Sequence, residues 1–255
     1  MKKILNKVPE VTLAFWIIKI MATTIGETAA DFLNINLNLG LVNTSYVMAA
    51  LLIIVLFIQF KYQKYVPWIY WLVVVFISVM GTLISDNLVD NLGVSLTTTT
   101  ICFGSGLIIV FVAWYLSEKT LSVHKINTVK REFFYWAAIL FTFALGTSGG
   151  DLLSESLGLG YLLAGSIFIG TIALIYAAYR YLNLNAILAF WLAYILTRPL
   201  GASIGDLLTQ SNKDGGLAIP TGIINAIFLA SILGLVVYLS ILEKRKSAKI
   251  SATAS

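Results

Sequence analysis

The chain has 255 residues, of which 59% are hydrophobic and only 11% are charged. Soluble domains carry about 25% charged residues, so this composition excludes a soluble globular protein and indicates a polytopic membrane protein. The single cysteine, Cys102, excludes an internal disulfide and a thiolate metal cluster. The single histidine, His124, excludes a multi-histidine zinc site and bis-histidine haem.

Apolar segments of about 20 residues, long enough to cross a bilayer, recur along the whole chain. They cover roughly residues 10–31, 40–60, 67–87, 95–117, 133–152, 159–180, 185–208 and 217–241. We therefore predict an all-α bundle of eight transmembrane helices forming a single domain over residues 8–243. Residues 244–255 are predicted to be a disordered cytoplasmic tail.

Positive charge predicts the orientation of these helices. With the N-terminus inside, 14 of the 17 Lys and Arg residues fall in inner segments, whereas the outer turns and helix ends collect acids. The inner set is Lys2, Lys3, Lys7, Lys61, Lys64, Lys119, Lys125, Lys130, Arg131, Arg180, Lys244, Arg245, Lys246 and Lys249. This distribution predicts a multi-pass protein of the plasma membrane with both termini in the cytoplasm.

Four copies of one phrase organise the helices. Each copy has a Trp, nine further residues, a Gly, four further residues and an Asp. The copies are Trp16–Gly26–Asp31, Trp71–Gly81–Asp86, Trp136–Gly146–Asp151 and Trp191–Gly201–Asp206. They predict four parallel two-helix repeats, at about 10–60, 67–117, 133–180 and 185–241, grouped in two pseudo-symmetric halves. Parallel repeats have an axis along the membrane normal, so the four Asp should lie at about one depth.

At these Gly-x-x-x-x-Asp phrases the chain resembles a bacterial family of integral membrane proteins. That family is defined by four copies of a short transmembrane repeat of unknown function. The resemblance covers nearly all of the chain outside the termini and residues 118–132. It implies a bacterial membrane protein and supplies no activity, so a functional hypothesis has to come from the residues themselves.

The repeated Asp has two interpretations. Carboxylates inside a membrane mark ion pathways, and Asp31, Asp86, Asp151 and Asp206 at one depth could bind a cation, including a divalent metal. Alternatively, each Asp caps the N-terminus of the helix that follows it, which is a purely structural role. The repeated glycines Gly26, Gly81, Gly146 and Gly201 are predicted packing points between helices.

Three charged residues depart from the repeat. Glu27 follows Gly26 where the other copies have Thr82, Thr147 and Ala202, and Lys19 and Arg198 lie near the centres of their helices. Because an unpaired cation in a bilayer is costly, we expect Lys19 and Arg198 to pair with acids of other repeats. Pro199 is expected to kink or break its helix.

The functional hypothesis is transport of a small ion, most simply a cation, through Asp31, Asp86, Asp151, Asp206 and Glu27, with Lys19 and Arg198 as counter-charges. Three alternatives remain: an anion or organic-solute transporter centred on Arg198 and Lys19, a scaffold or sensor whose His124 loop contacts a partner, and an intramembrane enzyme. No nucleotide loop, Ser-His-Asp set or retinal-binding Lys is present in the sequence, so no enzyme, nucleotide, haem or retinal is expected. Expected partners are the lipid bilayer and a small ion or solute, without nucleic acid; homo-oligomerisation is left open.

Overall fold

The computed structural model describes residues 6–253, with side-chain surroundings for residues 6–245. This part of the chain is helical and contains no strand. Its long helices are α1 (Leu13–Asp31), α2 (Leu41–Lys61), α3 (Pro67–Asp86), α4 (Leu96–Glu118), α5 (Val129–Asp151), α6 (Gly160–Tyr181), α7 (Ala186–Thr209) and α8 (Thr221–Thr253). The predicted all-α fold is confirmed, since all eight of these described helices are long and apolar enough to cross a membrane.

Three of the helices continue past the repeated Asp into a π-helical turn, which the sequence did not predict. These turns are Phe32–Asn36 after α1, Asn87–Asn91 after α3 and Leu152–Ser156 after α5. Helix α7 instead runs on to Thr209 and is followed by a short 3₁₀ turn, Asn212–Asp214. π turns are rare in proteins, and those that occur are frequently found at functional sites. Their presence is consistent with a functional site at this end of the molecule.

The odd-numbered helices form an inner ring. Helix α1 packs on α3, α3 on α5, α5 on α7, and α7 closes the ring on α1. In the most apolar stretch of each inner helix 61–72% of the residues are buried, against 11–22% in the even-numbered helices. The inner helices therefore supply the core, and the even-numbered helices face the lipid.

The outer helices interlock the repeats. Helix α2 packs on α3, α4 on α5 and α6 on α7, so each outer helix covers the inner helix of the following repeat. Helix α8 completes the pattern by packing on α1. The ring thus has four-fold pseudo-symmetry about one axis, and no single repeat encloses its own core.

The two ends of the ring differ in chemistry. We call the end where the inner helices finish, at Asp31, Asp86, Asp151 and Asp206, the aspartate end. The end where they begin, at Trp16, Trp71, Trp136 and Trp191, is the tryptophan end. Because the four inner helices run in the same direction, all four Trp lie near one end and all four Asp near the other.

Aromatic side chains close the tryptophan end. Trp71, Trp136 and Trp191 are 1%, 4% and 4% exposed, so they pack inside the ring and do not form a lipid-facing belt. Between them, the buried hydroxyls of Tyr70 and Tyr135 share a hydrogen bond of 2.6 Å. The axis is therefore sealed at this end.

A polar cluster lies outside this aromatic seal. Lys7, in the segment before α1, forms a buried ion pair with Glu132 of α5. The Gln59 side chain donates a 2.9 Å hydrogen bond to the same carboxylate. Asn6 donates to the carbonyl of Val123 at 3.1 Å. These contacts hold the segment before α1 against the α4–α5 connection.

Helix α7 passes through Pro199 without a break. Proline removes one backbone donor, which weakens the preceding helical turn. The Thr197 hydroxyl donates to the Tyr194 carbonyl at 2.7 Å and supplies a bond within that turn. The expected local break at Pro199 is therefore absent.

Helix α8 extends into the segment predicted to be a tail, and its last residue is Thr253. The disorder of residues 244–255 stays a prediction. Of the predicted inner cations, Lys2 and Lys3 lie outside the described residues, as do the side chains of Lys246 and Lys249.

Candidate functional site

Residues spaced four apart on the inner helices form a polar column along the ring. In α1 these are Lys19, Thr23, Glu27 and Asp31, which share one helix face because the helical period is about 3.6 residues. The other three inner helices contribute residues at the same repeat positions, except Val74 of α3 and Ile139 of α5, which are left out. We call the following set the axial column: Lys19, Thr23, Glu27, Asp31, Ser78, Thr82, Asp86, Phe143, Thr147, Asp151, Tyr194, Arg198, Ala202 and Asp206.

Arg198 lies at the centre of the axial column. Its side chain is fully buried, and its Nη2 donates to Glu27 Oε2 at 2.8 Å and to Thr147 Oγ1 at 2.7 Å. The same nitrogen donates to the Thr82 hydroxyl. Glu27, Thr82 and Thr147 are the residues that directly follow the repeated glycine in α1, α3 and α5. One guanidinium from α7 therefore connects all four inner helices.

The Arg198–Glu27 ion pair joins the fourth repeat to the first, as predicted for the central arginine. Glu27 itself is 6% exposed, so the pair is shielded from solvent. Arg198 Nε and Nη1 have no hydrogen-bond partner among the described residues. The guanidinium is thus held through one nitrogen, and its other two nitrogens are buried without a hydrogen-bond partner in the described residues.

The repeated glycines allow the inner helices to approach one another. A Cβ atom at Gly81 would lie 2.6 Å from Phe143 Cβ and 3.0 Å from its backbone carbonyl carbon. All four glycines meet the residue that lies three positions before the glycine of the next inner helix. The pairs are Gly26 with Ser78, Gly81 with Phe143, Gly146 with Arg198 and Gly201 with Thr23. Close packing around the ring depends on the absence of a side chain at these positions.

Lys19 differs from the prediction, because no carboxylate of the described residues pairs with it. Its Nζ lies 4.0 Å from the ring centre of Phe143 and 4.2 Å from that of Tyr194. The side chain is fully buried, and Nζ has no hydrogen-bond partner in the described part of the chain. Arg198 already engages Glu27, the nearest acid of the column, so aromatic faces take the place of a carboxylate around Lys19.

Replacing Lys19 by methionine is expected to raise the free energy of unfolding by about 1–2 kcal/mol. Methionine has a similar length and removes a buried charge whose only compensation is aromatic. The measurement is reversible unfolding of the purified protein in mixed micelles, followed by tryptophan fluorescence. Lys64→Met, at an exposed position between α2 and α3, is the control. A clear loss of stability in Lys19→Met would show that the aromatic contacts outweigh the burial of charge.

The four aspartates lie one turn beyond Glu27, Thr82, Thr147 and Ala202. Asp206 is 6% exposed, whereas the other three are partly exposed. Asp86 and Asp151 both interact electrostatically with Glu27 and with Arg198. Within the described chain, none of the four carboxylates forms a hydrogen bond or an ion pair. Their electrostatic interactions therefore act over a distance, without direct contact to a polar group of the described residues.

The capping interpretation of the aspartates does not fit this geometry. The N-cap residues of α2, α4 and α6 are Gly40, Ser95 and Leu159. Asp31, Asp86 and Asp151 instead precede the π turns and make no capping hydrogen bond. The structural alternative for these three residues therefore has no support from the contacts.

A shared metal site is not assembled either. In residues 6–253, no three or more His, Cys, Asp and Glu side chains come close enough to hold a metal ion together. Asp31, Asp86, Asp151 and Asp206 project from four separate helices around the axis. A divalent ion held by all four, as considered from the sequence, would require the helices to move inward.

Two acids extend the column beyond the aspartates. Asp90 and Glu155 lie in the π turns, four residues after Asp86 and Asp151, and both are exposed. Their spacing of four was visible in the sequence, but their place on the axis depends on the π turns. The sequence identified Thr82 and Thr147 as the residues at the repeat position of Glu27. It did not predict their hydrogen bonds to Arg198, because no local pattern indicates which helices meet there.

Four interlocked hairpins around a polar axis define an integral, multi-pass membrane protein built from tandem two-helix repeats. A family model described as "Repeat of Unknown Function (DUF347)" matches residues 14–65, 69–120, 134–183 and 189–245. The chain belongs to this repeat family, in agreement with the resemblance found in its Gly-x-x-x-x-Asp phrases. No curated protein and no solved structure matches the chain.

Proposed function

We propose that the protein transports a small cation along the axis of the inner ring. The observation that supports this most directly is the axial column, in which each repeat contributes an aspartate that has no hydrogen-bond or ion-pair partner among the described residues. Ionisable side chains inside a membrane are costly and commonly mark ion pathways. Asp206 is the strongest single indication, because it is 6% exposed and accepts no hydrogen bond from any described residue.

The sign of the charge favours a cation. Acidic residues in and next to the axial column outnumber its two cations, Lys19 and Arg198. The acids are Glu27, Asp31, Asp86, Asp90, Asp151, Glu155 and Asp206. Side chains of one sign around a low-dielectric path attract ions of the opposite sign.

The accessibility of the two ends supports entry from the aspartate end. Asp31, Asp86 and Asp151 are partly exposed there, whereas Tyr70, Tyr135 and Tyr194 at the other end are fully buried. Between the two lies the Arg198–Glu27 pair. An arriving cation would compete with Arg198 for Glu27, and movement of Arg198 would then be coupled to passage through the centre.

The orientation proposed for this pathway follows from positive charge. The connections at the tryptophan end carry Lys61, Lys64, Lys119, Lys125 and Lys130. We place this end and both termini in the cytoplasm of a plasma membrane, so the aspartate end faces outward. The cation would enter from outside, and the protein would act by transport and not by catalysis.

The proposal is tested by cation uptake into liposomes that contain the purified full-length protein. Uptake of Na⁺, K⁺, Mg²⁺ and Mn²⁺ is followed with ion-selective fluorescent dyes. We expect one of these ions to enter faster than into protein-free liposomes. The double variant Asp86→Asn/Asp206→Asn should lower that uptake at least tenfold. It removes two negative charges from the path, and asparagine keeps nearly the same side-chain shape as aspartate.

The matched control is Asp214→Asn. Asp214 is an exposed acid in the α7–α8 connection, at the same end of the molecule but outside the axial column. The substitution removes one negative charge without altering the path, so cation uptake by this variant should equal that by wild type. Full uptake by a folded Asp86→Asn/Asp206→Asn protein, or uptake of none of the four ions by wild type, would contradict the proposal.

One observation favours a second candidate, an anion or organic-solute transporter. Lys19 Nζ and Arg198 Nε and Nη1 are buried donors without hydrogen-bond partners among the described residues. An anionic group could accept hydrogen bonds from them. In that case Arg198→Gln would abolish uptake of Cl⁻ or acetate into the same liposomes, while Asp86→Asn/Asp206→Asn would not.

A further inference from the structure

A cleft at the tryptophan end lies outside the axial column. It has a volume of about 700 Å³ and is bounded by α1, α6, α7 and the connection between α4 and α5. Most of its lining is apolar, with Trp16, Ile172, Ile175 and Phe190 among the side chains. Tyr176, which also lines it, is 65% exposed, so the cleft opens sideways from the helix bundle. All three helices are candidate membrane spans, and the cleft therefore opens toward lipid.

The α4–α5 connection forms one wall of the cleft and is held in place. Trp191 Nε1 donates a 2.9 Å hydrogen bond to the carbonyl of Leu121. Asn6 donates to the carbonyl of Val123 at 3.1 Å and accepts from the Ile126 amide at 3.0 Å. Leu121 and Val123 both line the cleft. The cleft is thus a built feature, because tertiary contacts fix its wall.

One rim of the cleft is polar and basic. Thr12, Ser122 and His124 line it, and Lys125 follows His124 directly. Across the cleft, Arg180 follows the lining residue Tyr179 near the end of α6. Lys125 and Arg180 do not line the cleft themselves, but both are exposed and directly follow lining residues, with the Arg180 guanidinium 5.8 Å from the ring centre of Tyr181. Both charges therefore lie beside the cleft, where a long side chain can reach a group bound at its rim.

We propose that this cleft binds an anionic phospholipid, with an acyl chain in the apolar groove and the phosphate at the rim. Burial of the chain would supply apolar contact area, and basic residues near the headgroup would add electrostatic attraction for an anionic lipid. The two-part lining fits a molecule that is apolar at one end and negatively charged at the other. The site is independent of the axial path and of the cation proposed to use it.

The test is native mass spectrometry of the purified full-length protein with phosphatidylglycerol or phosphatidylcholine of identical acyl chains. Wild type is expected to retain phosphatidylglycerol at least fivefold more than phosphatidylcholine. Lys125→Gln/Arg180→Gln should abolish that preference. Ala189→Trp places an indole in the cleft, because Ala189 lines it, and should remove the retained lipid altogether.

Two control variants separate the cleft from general lipid contact. Lys64→Gln removes a cation from the same end, and Ala50→Trp adds an indole to the exposed surface of α2. Both should retain phosphatidylglycerol as wild type does. Equal retention of the two lipids by wild type, or an unchanged preference in Lys125→Gln/Arg180→Gln, would overturn the proposal. If Ala189→Trp fails to fold, the doubly neutralised variant, which alters only exposed residues, decides the outcome.

Discussion

Replacing Arg198 by methionine is expected to lower the free energy of unfolding by about 3–5 kcal/mol. The substitution leaves Glu27 as a buried charge without its ion-pair partner, and that loss accounts for most of the cost. It also removes the donor shared by Thr82 and Thr147, so the hydrogen bonds from α7 to α3 and α5 are lost. Unfolding in mixed micelles, followed by tryptophan fluorescence, measures the effect.

The double variant Arg198→Met/Glu27→Gln shows whether the cost arises from the pair. Once Glu27 is neutral, the loss of Arg198 no longer leaves that carboxylate as a buried charge without its partner, so the double variant should be less destabilised than the sum of the two single variants. The coupling energy between the two sites is expected to be at least 1 kcal/mol. Additive effects of the two substitutions would mean that the ion pair contributes nothing specific to the centre of the ring.

Replacing Gly81 by alanine is expected to cost about 3 kcal/mol of stability, although it adds only a methyl group. That group would lie 2.6 Å from Phe143 Cβ and 3.0 Å from a backbone carbon, so α3 and α5 would have to separate. Overpacking of this kind costs about 1–3 kcal/mol, and contact with backbone places this site at the upper limit. Unfolding in mixed micelles again measures the change.

Gly170→Ala is the matched control for Gly81→Ala. Gly170 lies on the outer helix α6, and a Cβ atom there would meet nothing within 4 Å. Alanine is favoured over glycine in a helix by about 1 kcal/mol, so this variant should be as stable as wild type or slightly more stable. If Gly81→Ala were equally harmless, the close approach of α3 and α5 would not be a requirement of the fold.

The helices and the repeat could be predicted because their signals are local. A run of apolar residues specifies a membrane span wherever it occurs, and the Trp-Gly-Asp spacing recurs without help from tertiary structure. The π turns after Asp31, Asp86 and Asp151 could not be predicted, because no local sequence pattern distinguishes them from an ordinary helix end. Asp90 and Glu155 were therefore visible as acids but could not be placed on the axis.

The charged residues of the axial column could be selected from the sequence, but their contacts could not. The departures Glu27, Lys19 and Arg198 were evident by comparison among the repeats, and a pairing between repeats followed from the cost of a buried charge. Which acid pairs with which cation depends on where four helices meet. Arg198 reaches Glu27, and this leaves Lys19 to the faces of Phe143 and Tyr194.

The sequence by itself therefore determined that this is a membrane protein with eight spans in its described part and four repeated hairpins, each with an aspartate at the same repeat position. It could do so because hydropathy and residue spacing are local signals. The arrangement of those hairpins was decided by packing between distant segments. Each repeated glycine lies against a residue of the next repeat, and each outer helix covers an inner helix of a neighbouring repeat. Such contacts depend on the shapes of both surfaces, and for that reason the closed ring and its central arginine emerge only in the folded chain.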